Sequence, residues 1–248
     1  MAQKKKWFEA AVHGIFLILG LITVGCVLLI TVYLIVSGIP AIREIGLLKF
    51  LFGRTWASTA SQPQYGILPF ILTSVYGTAG AIALGVPVGF LTAVYLSKVA
   101  PKGVRTVLQS AVSLLAGIPS VVYGLVGMLV LVPAIRKAFH LPDGASLLAA
   151  IVVLAIMILP TVINISETSI RAVPAGIKSS SLALGASRVQ TIFRSILPAA
   201  KSGIVTAIVL GVGRAIGEAM AITLVSGSSV NVPLPFNSVR FLTTAIVS

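Results

Sequence analysis

The chain is predicted to be an all-α, polytopic membrane helix bundle. Five long apolar stretches are separated by short basic connectors. Of its residues, 57% are hydrophobic and 9% charged, with a mean hydropathy of +1.09. A soluble chain this apolar could not cover itself with polar surface, whereas lipid solvates apolar side chains. The fifth stretch alone carries a charged pair, Arg214 and Glu218, so something polar is expected to be handled inside the bilayer. The length of 248 residues fits one membrane domain.

A span takes about 20 apolar residues to cross about 30 Å of hydrocarbon. The stretches are 14–36, 67–96, 106–132, 146–165 and 202–224. The first is too long for a signal-peptide core and reads as a retained anchor helix. Residues 1–36 are therefore read as a cytoplasmic tail with the first transmembrane helix. Cys26 lies within that stretch, cannot form an intrachain disulfide, and is expected to be a small buried side chain. Residues 37–66 form an external segment, where 39–52 mixes apolar residues with Arg43, Glu44 and Lys49 and is expected to include a short interfacial helix. Residues 67–248 are the core.

Within the core, the second and third stretches hold Pro87 and Pro119, so kinked helices are expected there. Their freed carbonyls must find partners on neighbouring helices, as in a packed bundle. Residues 226–240, rich in Ser, Asn and Pro, read as an exposed loop. The stretch 241–248 is apolar but too short to span, so five spans are visible and a sixth is expected beyond Ser248.

Orientation follows Lys and Arg. With the N-terminus in the cytoplasm, eleven basic residues fall inside, including Lys4, Lys5 and Lys6, against six outside. The net charge of +13 is explained by these loops, and no nucleic-acid-binding motif accompanies it. His13 and His140 have no ligand-spaced partners, so no metal site is expected. Five acidic residues and two histidines offer no grouping for an intramembrane enzyme. A secondary transporter is the other competing class, but no inverted repeat is visible.

Arg214 and Glu218 are four apart and, on one helix, would share a face about 6 Å apart along the axis. Each costs about 2.5–3.5 kcal/mol at a span centre. Arg before Glu is the weaker order for a helical pair, so helix stability explains them poorly. One reading is a buried pair that fixes helix register. The other is an anion step: Arg offers a planar fork matched to oxyanions, and Glu218 holds Arg214 until substrate arrives or accepts a hydrogen bond from a protonated oxyanion. Gly211, Gly213 and Gly217 either let helices approach or leave room for an anion. Asn164 lines a path or bonds a neighbouring helix, and Tyr123 lines a cavity or packs. Glu167 and Arg171 have the favoured spacing for an interfacial salt bridge.

The one sizeable inside connector, 171–201, carries apolar residues at helical spacing: Leu182, Ala186, Val189, Ile192, Phe193 and Ile196. An amphipathic helix is expected, with Gly185 admitting another backbone or splitting the helix, and Pro198 ending it. The segment resembles the cytoplasmic coupling loop of ABC-importer permeases. Aligned on Gly185, Leu197 and Pro198 match that motif. Ser195 stands where Ile is usual, and Ser179, Ser180 and Ser181 stand where Glu-Ala-Ala is usual. The segments Gly117-Ile-Pro-Ser-Val-Val-Tyr-Gly124 and Gly213-Arg-Ala-Ile-Gly-Glu-Ala-Met220 resemble phosphate-importer permeases. Met220-Ala-Ile-Thr223 and Tyr65-Gly-Ile-Leu-Pro-Phe70 are similar to their C-type subunit.

This resemblance implies a type I ABC-importer permease fold in a bacterial or archaeal cytoplasmic membrane. It implies that the chain forms half of a phosphate path, with Arg214, Glu218, Asn164 and Tyr123 along it. Sulfate or molybdate is the alternative cargo. It assigns ATPase coupling to Ser179, Ser180, Ser181, Gly185, Ala186, Leu197 and Pro198. The implied partners are a second homologous permease subunit, a cytoplasmic ATPase dimer, an external phosphate-binding protein and membrane lipid. No phosphate-cradling Gly-Lys-Ser/Thr loop is present, so ATP and magnesium are expected on the partner ATPase and no cofactor on this chain.

Overall fold

The computed structural model describes residues 2–247, with side chains described at 9 and 12–247. The expected anchors Lys4, Lys5 and Lys6 lie outside the described side chains, and the helix expected beyond Ser248 lies outside the described residues. The chain forms two compact units, Met1–Gly66 and Ile67–Ser248.

In the first unit, α1 (Ala2–Ile45) runs nine residues past the expected span, through Pro40. The helix expected at 39–52 is thus divided between the end of α1 and α2 (Leu47–Phe52). Large apolar side chains of α1 from Ile15 to Val36 are more than half exposed. Cys26 is exposed as well, against the expectation of burial. The reason is the solvent: lipid tails are as apolar as Leu, so a span need not hide its surface in protein. A short hairpin follows, with β1 (Trp56–Ala57) antiparallel to β2 (Gln64–Tyr65). The Trp56 and Tyr65 rings meet edge-on at 5.6 Å.

The second unit is organised around α7 (Leu147–Ala172), whose Leu154, Met157, Ile158 and Val162 are fully buried. Helix α3 (Leu68–Val94) lies along it in the same direction. The contact is made by small residues. A Cβ on Gly80 would stand 2.6 Å from Ile151, and one on Gly85 would stand 2.9 Å from the Ala155 carbonyl oxygen. Bare glycines let two helices approach where lipid supplies no hydrophobic drive. On another side, α11 (Lys201–Gly217) runs antiparallel, with Gly203 against Ser169 and Gly211 against Val162.

The third apolar stretch is not one kinked span. It divides into α4 (Lys102–Gly117) and α5 (Ser120–Val126), with Ile118 extended at φ −72°, ψ 127°. Pro119 explains the break, because it lacks an N–H and drives the preceding residue out of the helical region. The span-length helix is instead Ser120–Phe139, comprising α5, a π-helical turn and α6 (Val132–Phe139). Four helices are long and apolar enough to cross a membrane. A fifth is reached by counting the bent pair Arg188–Ala199 and Lys201–Gly217, which meet at 69°.

Three π-helical turns occur among the described residues, at Tyr95–Val99, Gly127–Leu131 and Ile192–Ile196. Each ends two residues before a proline: Pro101, Pro133 and Pro198. A proline ring clashes with the carbonyl four residues back, and a wider turn relieves that clash.

The segment 226–240 is the irregular, largely exposed loop expected, but it is tied down by hydrogen bonds. It folds over the start of α7, where a helix leaves four N–H groups unpaired. Ser146 N donates to Val225 O at 3.0 Å, Leu147 N to Asn237 O at 3.0 Å, and Leu148 N to Pro235 O at 2.8 Å. Ala149 N donates to Ser146 Oγ at 3.4 Å. Ser226 and Val239 are fully buried as a result. Two short helices frame this loop, α12 (Met220–Val225) and α13 (Leu242–Val247). Helix α12 crosses α5 at Gly124, where a Cβ would stand 2.7 Å from Ala221 Cα.

Gly85→Leu is expected to force α3 off α7 and cost about 1–3 kcal/mol, the usual range for overpacking. This is read as a lower unfolding midpoint of the purified chain in detergent. Gly103→Leu, whose added Cβ would meet nothing within 4 Å, serves as the control and is expected not to lower it.

Candidate functional site

Helix α11 stops at Gly217, so Arg214 and Glu218 do not share a continuous helical face. Glu218 is extended, at φ −76°, ψ 128°. Gly217 weakens the helix by about 1 kcal/mol relative to Ala, and tertiary bonds outweigh the remaining preference. The Glu218 carboxylate accepts from Ala221 N at 3.1 Å. Its carbonyl accepts from Thr243 Oγ1, 25 residues away, at 2.7 Å. A carboxylate at the start of α12 and a guanidinium in the last turn of α11 each suit the dipole of its own helix end.

Arg214 is half-buried, and its Nη1 donates to Thr161 Oγ1 on α7 at a long 3.4 Å. Among the described residues, ion pairs form only at Glu167, so Arg214 has no carboxylate at ion-pair distance. Gly213 and Gly217 border open space, since a Cβ on either would meet nothing within 4 Å. Asn164 stands three residues beyond Thr161 on α7, about one turn along the same face. It lines an open polar groove of about 630 Å³ with Thr106, Gln109, Ser110 and Ser113 of α4. The Arg214 contact and Asn164 therefore lie about one turn apart along α7. Tyr123 is engaged elsewhere. Its hydroxyl donates to Leu115 O at 2.7 Å across the α4–α5 break, and its ring lines an apolar cavity with Val126, Val153 and Ile156.

A second cluster went unforeseen. Glu167, only 4% exposed, accepts from Arg105 Nη2 at 3.2 Å, Arg171 Nη1 at 3.2 Å, and Gln109 Nε2 at 2.9 and 2.8 Å. The bond to Arg171 is the expected one. The α4 partners lie 62 and 58 residues away. Their only sequence signal is the four-residue spacing of Arg105 and Gln109, which places both on one helical face. A buried carboxylate needs such partners, and stripping one from a buried pair costs about 3–5 kcal/mol.

The segment 171–201 is not a single amphipathic helix. It folds as α8 (Ala175–Ala183), a turn at Leu184–Gly185, then α9 (Arg188–Thr191), a π turn and α10 (Leu197–Ala199). Gly185, at φ 81°, occupies the left-handed region that ends a helix. A Cβ there would meet nothing, so the glycine is required for its backbone angle and not for close approach. Ser187 and Gln190 form a reciprocal capping box that restarts the chain as α9. Pro198 sits inside α10, and the bend comes after it, at Ala200.

Ser181, Thr191 and Ser195 join the two arms by hydroxyl contacts of 3.1 and 3.2 Å. Ser179 bonds back to Gly176 O at 3.0 Å. Between the arms lies an open groove of about 760 Å³ lined by Ser180, Ser181, Ala186 and Arg194, with Leu184 at its edge. Leu184 is 89% exposed.

The chain is similar in sequence to known transport proteins. The family model described as the binding-protein-dependent transport system inner membrane component matches residues 85–245. A probable ABC transporter permease of Bacillus subtilis, YqgH, is 40% identical over 230 residues, covering 92% of this chain and 74% of that one. The phosphate transport system permease protein PstC of Haemophilus influenzae is 30% identical over 263 residues, covering 98% and 81%. A solved structure of the MetNI methionine ABC transporter aligns over 61% of this chain and 68% of that one, at 22% identity and a TM-score of 0.47. The chain belongs to the binding-protein-dependent transport system inner membrane components, as an ABC-transporter permease subunit of the PstC-like kind.

Proposed function

We propose that the chain forms half of the translocation path of an ATP-driven phosphate importer. The observation that carries this reading is Arg214. Its guanidinium lies in a span, lacks a carboxylate partner, bonds weakly to Thr161 and borders the open space beside Gly213 and Gly217. A half-buried, permanently charged fork of this kind matches a tetrahedral oxyanion bidentately. The relatives named PstC, at 30–33% identity, favour phosphate as that oxyanion.

Glu218 acts beside Arg214 and not as its ion-pair partner. One carboxylate oxygen is committed to Ala221 N. The other accepts a proton-bearing oxygen of phosphate, which fully ionised sulfate cannot offer. Tyr123 stands apart from this contact and holds α5 to α4 at the edge of the path. The proposed assembly adds a second permease subunit, an external phosphate-binding protein and a cytoplasmic ATPase pair that binds ATP and magnesium. The chain sits with its N-terminus in the cytoplasm.

In this reading the ATPase receives the displayed Leu184, with Gly185, Ala186 and the serines 179–181 around it. Leu197 and Pro198 lead into the 69° bend before α11. Arg214 is 14 residues beyond Ala200 on that same helix, about 21 Å along its axis. Ala200 and Arg214 are joined by one continuous helix, so a displacement that the docked segment passes across the bend reaches Arg214.

Arg214→Ala is expected to reduce phosphate uptake about 10- to 100-fold, which corresponds to about 1.5–3 kcal/mol for a lost hydrogen bond to a charged group. The assay is uptake in cells lacking their own high-affinity system, with partner subunits supplied and protein levels matched. Chain-dependent uptake of sulfate or molybdate in place of phosphate would sink the cargo assignment. For Glu218→Gln the expected outcome is a weaker preference for phosphate over sulfate in a competition assay, and an unchanged preference removes its proposed role. Gly185→Val forces a left-handed angle on a branched residue at a cost of about 1–2 kcal/mol. It should lower ATP-dependent uptake and the amount of ATPase recovered with the complex.

A further inference from the structure

Arg214 is not the only cation beside the polar face of α7. From Thr161 the face continues through Asn164 to Glu167 and Arg171, ten residues or about 15 Å along the axis. The groove against α4 follows it, and Gln109 belongs both to the groove and to the Glu167 cluster. Two guanidiniums meet one carboxylate there, so the cluster keeps one uncompensated positive charge. Arg105 uses Nη2 on Glu167, while its Nε is buried with no protein acceptor. A buried donor without an acceptor is costly and calls for a partner. In bilayer surroundings, the exposed hydroxyls of Ser110 and Ser113 equally call for water or a polar occupant, whereas Thr106 Oγ1 already donates to Lys102 O at 3.0 Å.

We infer that the α4–α7 groove is a conduit for the anion beyond Arg214, and that Arg105 with Arg171 forms a second oxyanion-holding station at its end. This rests on the reading of Arg214 as an anion contact. Glu167 is a positioning residue. It holds both guanidiniums in place when the station is empty, and it limits their net charge to one so that an arriving anion is not trapped. Conduction needs binding strong enough to admit an ion and weak enough to release it.

The test uses the assembled importer in lipid nanodiscs, with Cys26→Ala and a single reporter, Ser113→Cys. Thiol modification is timed with anionic and cationic methanethiosulfonates of similar size. The anionic reagent is expected to react about tenfold faster, as positive clefts concentrate anions, and inorganic phosphate is expected to slow the reaction. Adding Arg105→Gln should abolish both the preference and the protection, and Arg105→Lys should restore them. A purely structural role for Arg105 predicts no charge preference and no protection by any oxyanion, and that result overturns the station. Protection by sulfate or molybdate but not phosphate supports the station and overturns the phosphate reading instead.

Discussion

In hydrocarbon an unpaired N–H or C=O has no water to bond, and the irregular parts of this chain are arranged around that constraint. The start of α7 draws its acceptors from residues 225, 235 and 237, 79 to 90 positions later. The interruption at Glu218 is closed by its own carboxylate and by Thr243. The break at Ile118 is closed by the hydroxyl of Tyr123 on Leu115 O. Each interruption is completed by a bond from outside its own helical ladder, some local and some from far along the chain.

Helix α7 joins the two halves of this arrangement. Its apolar side meets the glycines of α3 and α11 at backbone distance, which fixes the three helices relative to one another. Another side carries Thr161, Asn164 and Glu167, which face Arg214 and α4. The element that makes the core rigid therefore also positions the cations, as a binding site within a membrane requires.

The apolar stretches were legible as helices because length and hydropathy dominate in lipid, and the Glu167–Arg171 pair was legible because its spacing is local. What escaped the sequence was set by partners distant along the chain. Arg214 and Glu218 have the spacing of a helical pair, and nothing near them announces that Thr243 will hold the Glu218 carbonyl. Pro119 was read as a kink, whereas its effect on Ile118 ends one helix and starts another. The coupling segment has a helical period on both sides of Gly185. Periodicity could not show that the glycine would adopt a left-handed angle. Arg105 could not be linked to Glu167, because no local pattern connects positions 62 apart.

The π turn before Pro198 also fixes a phase. A π turn holds one residue more than an α turn, and one residue is about 100° of azimuth in a helix. Helix α9 is therefore rotated by about that angle relative to α10, compared with an uninterrupted α-helix over the same residues. The direction in which α9 faces is thus set against the start of the 69° bend. Deleting one residue from the turn would leave α9 and α10 nearly unchanged in composition, yet would turn α9 by about 100° relative to the bend.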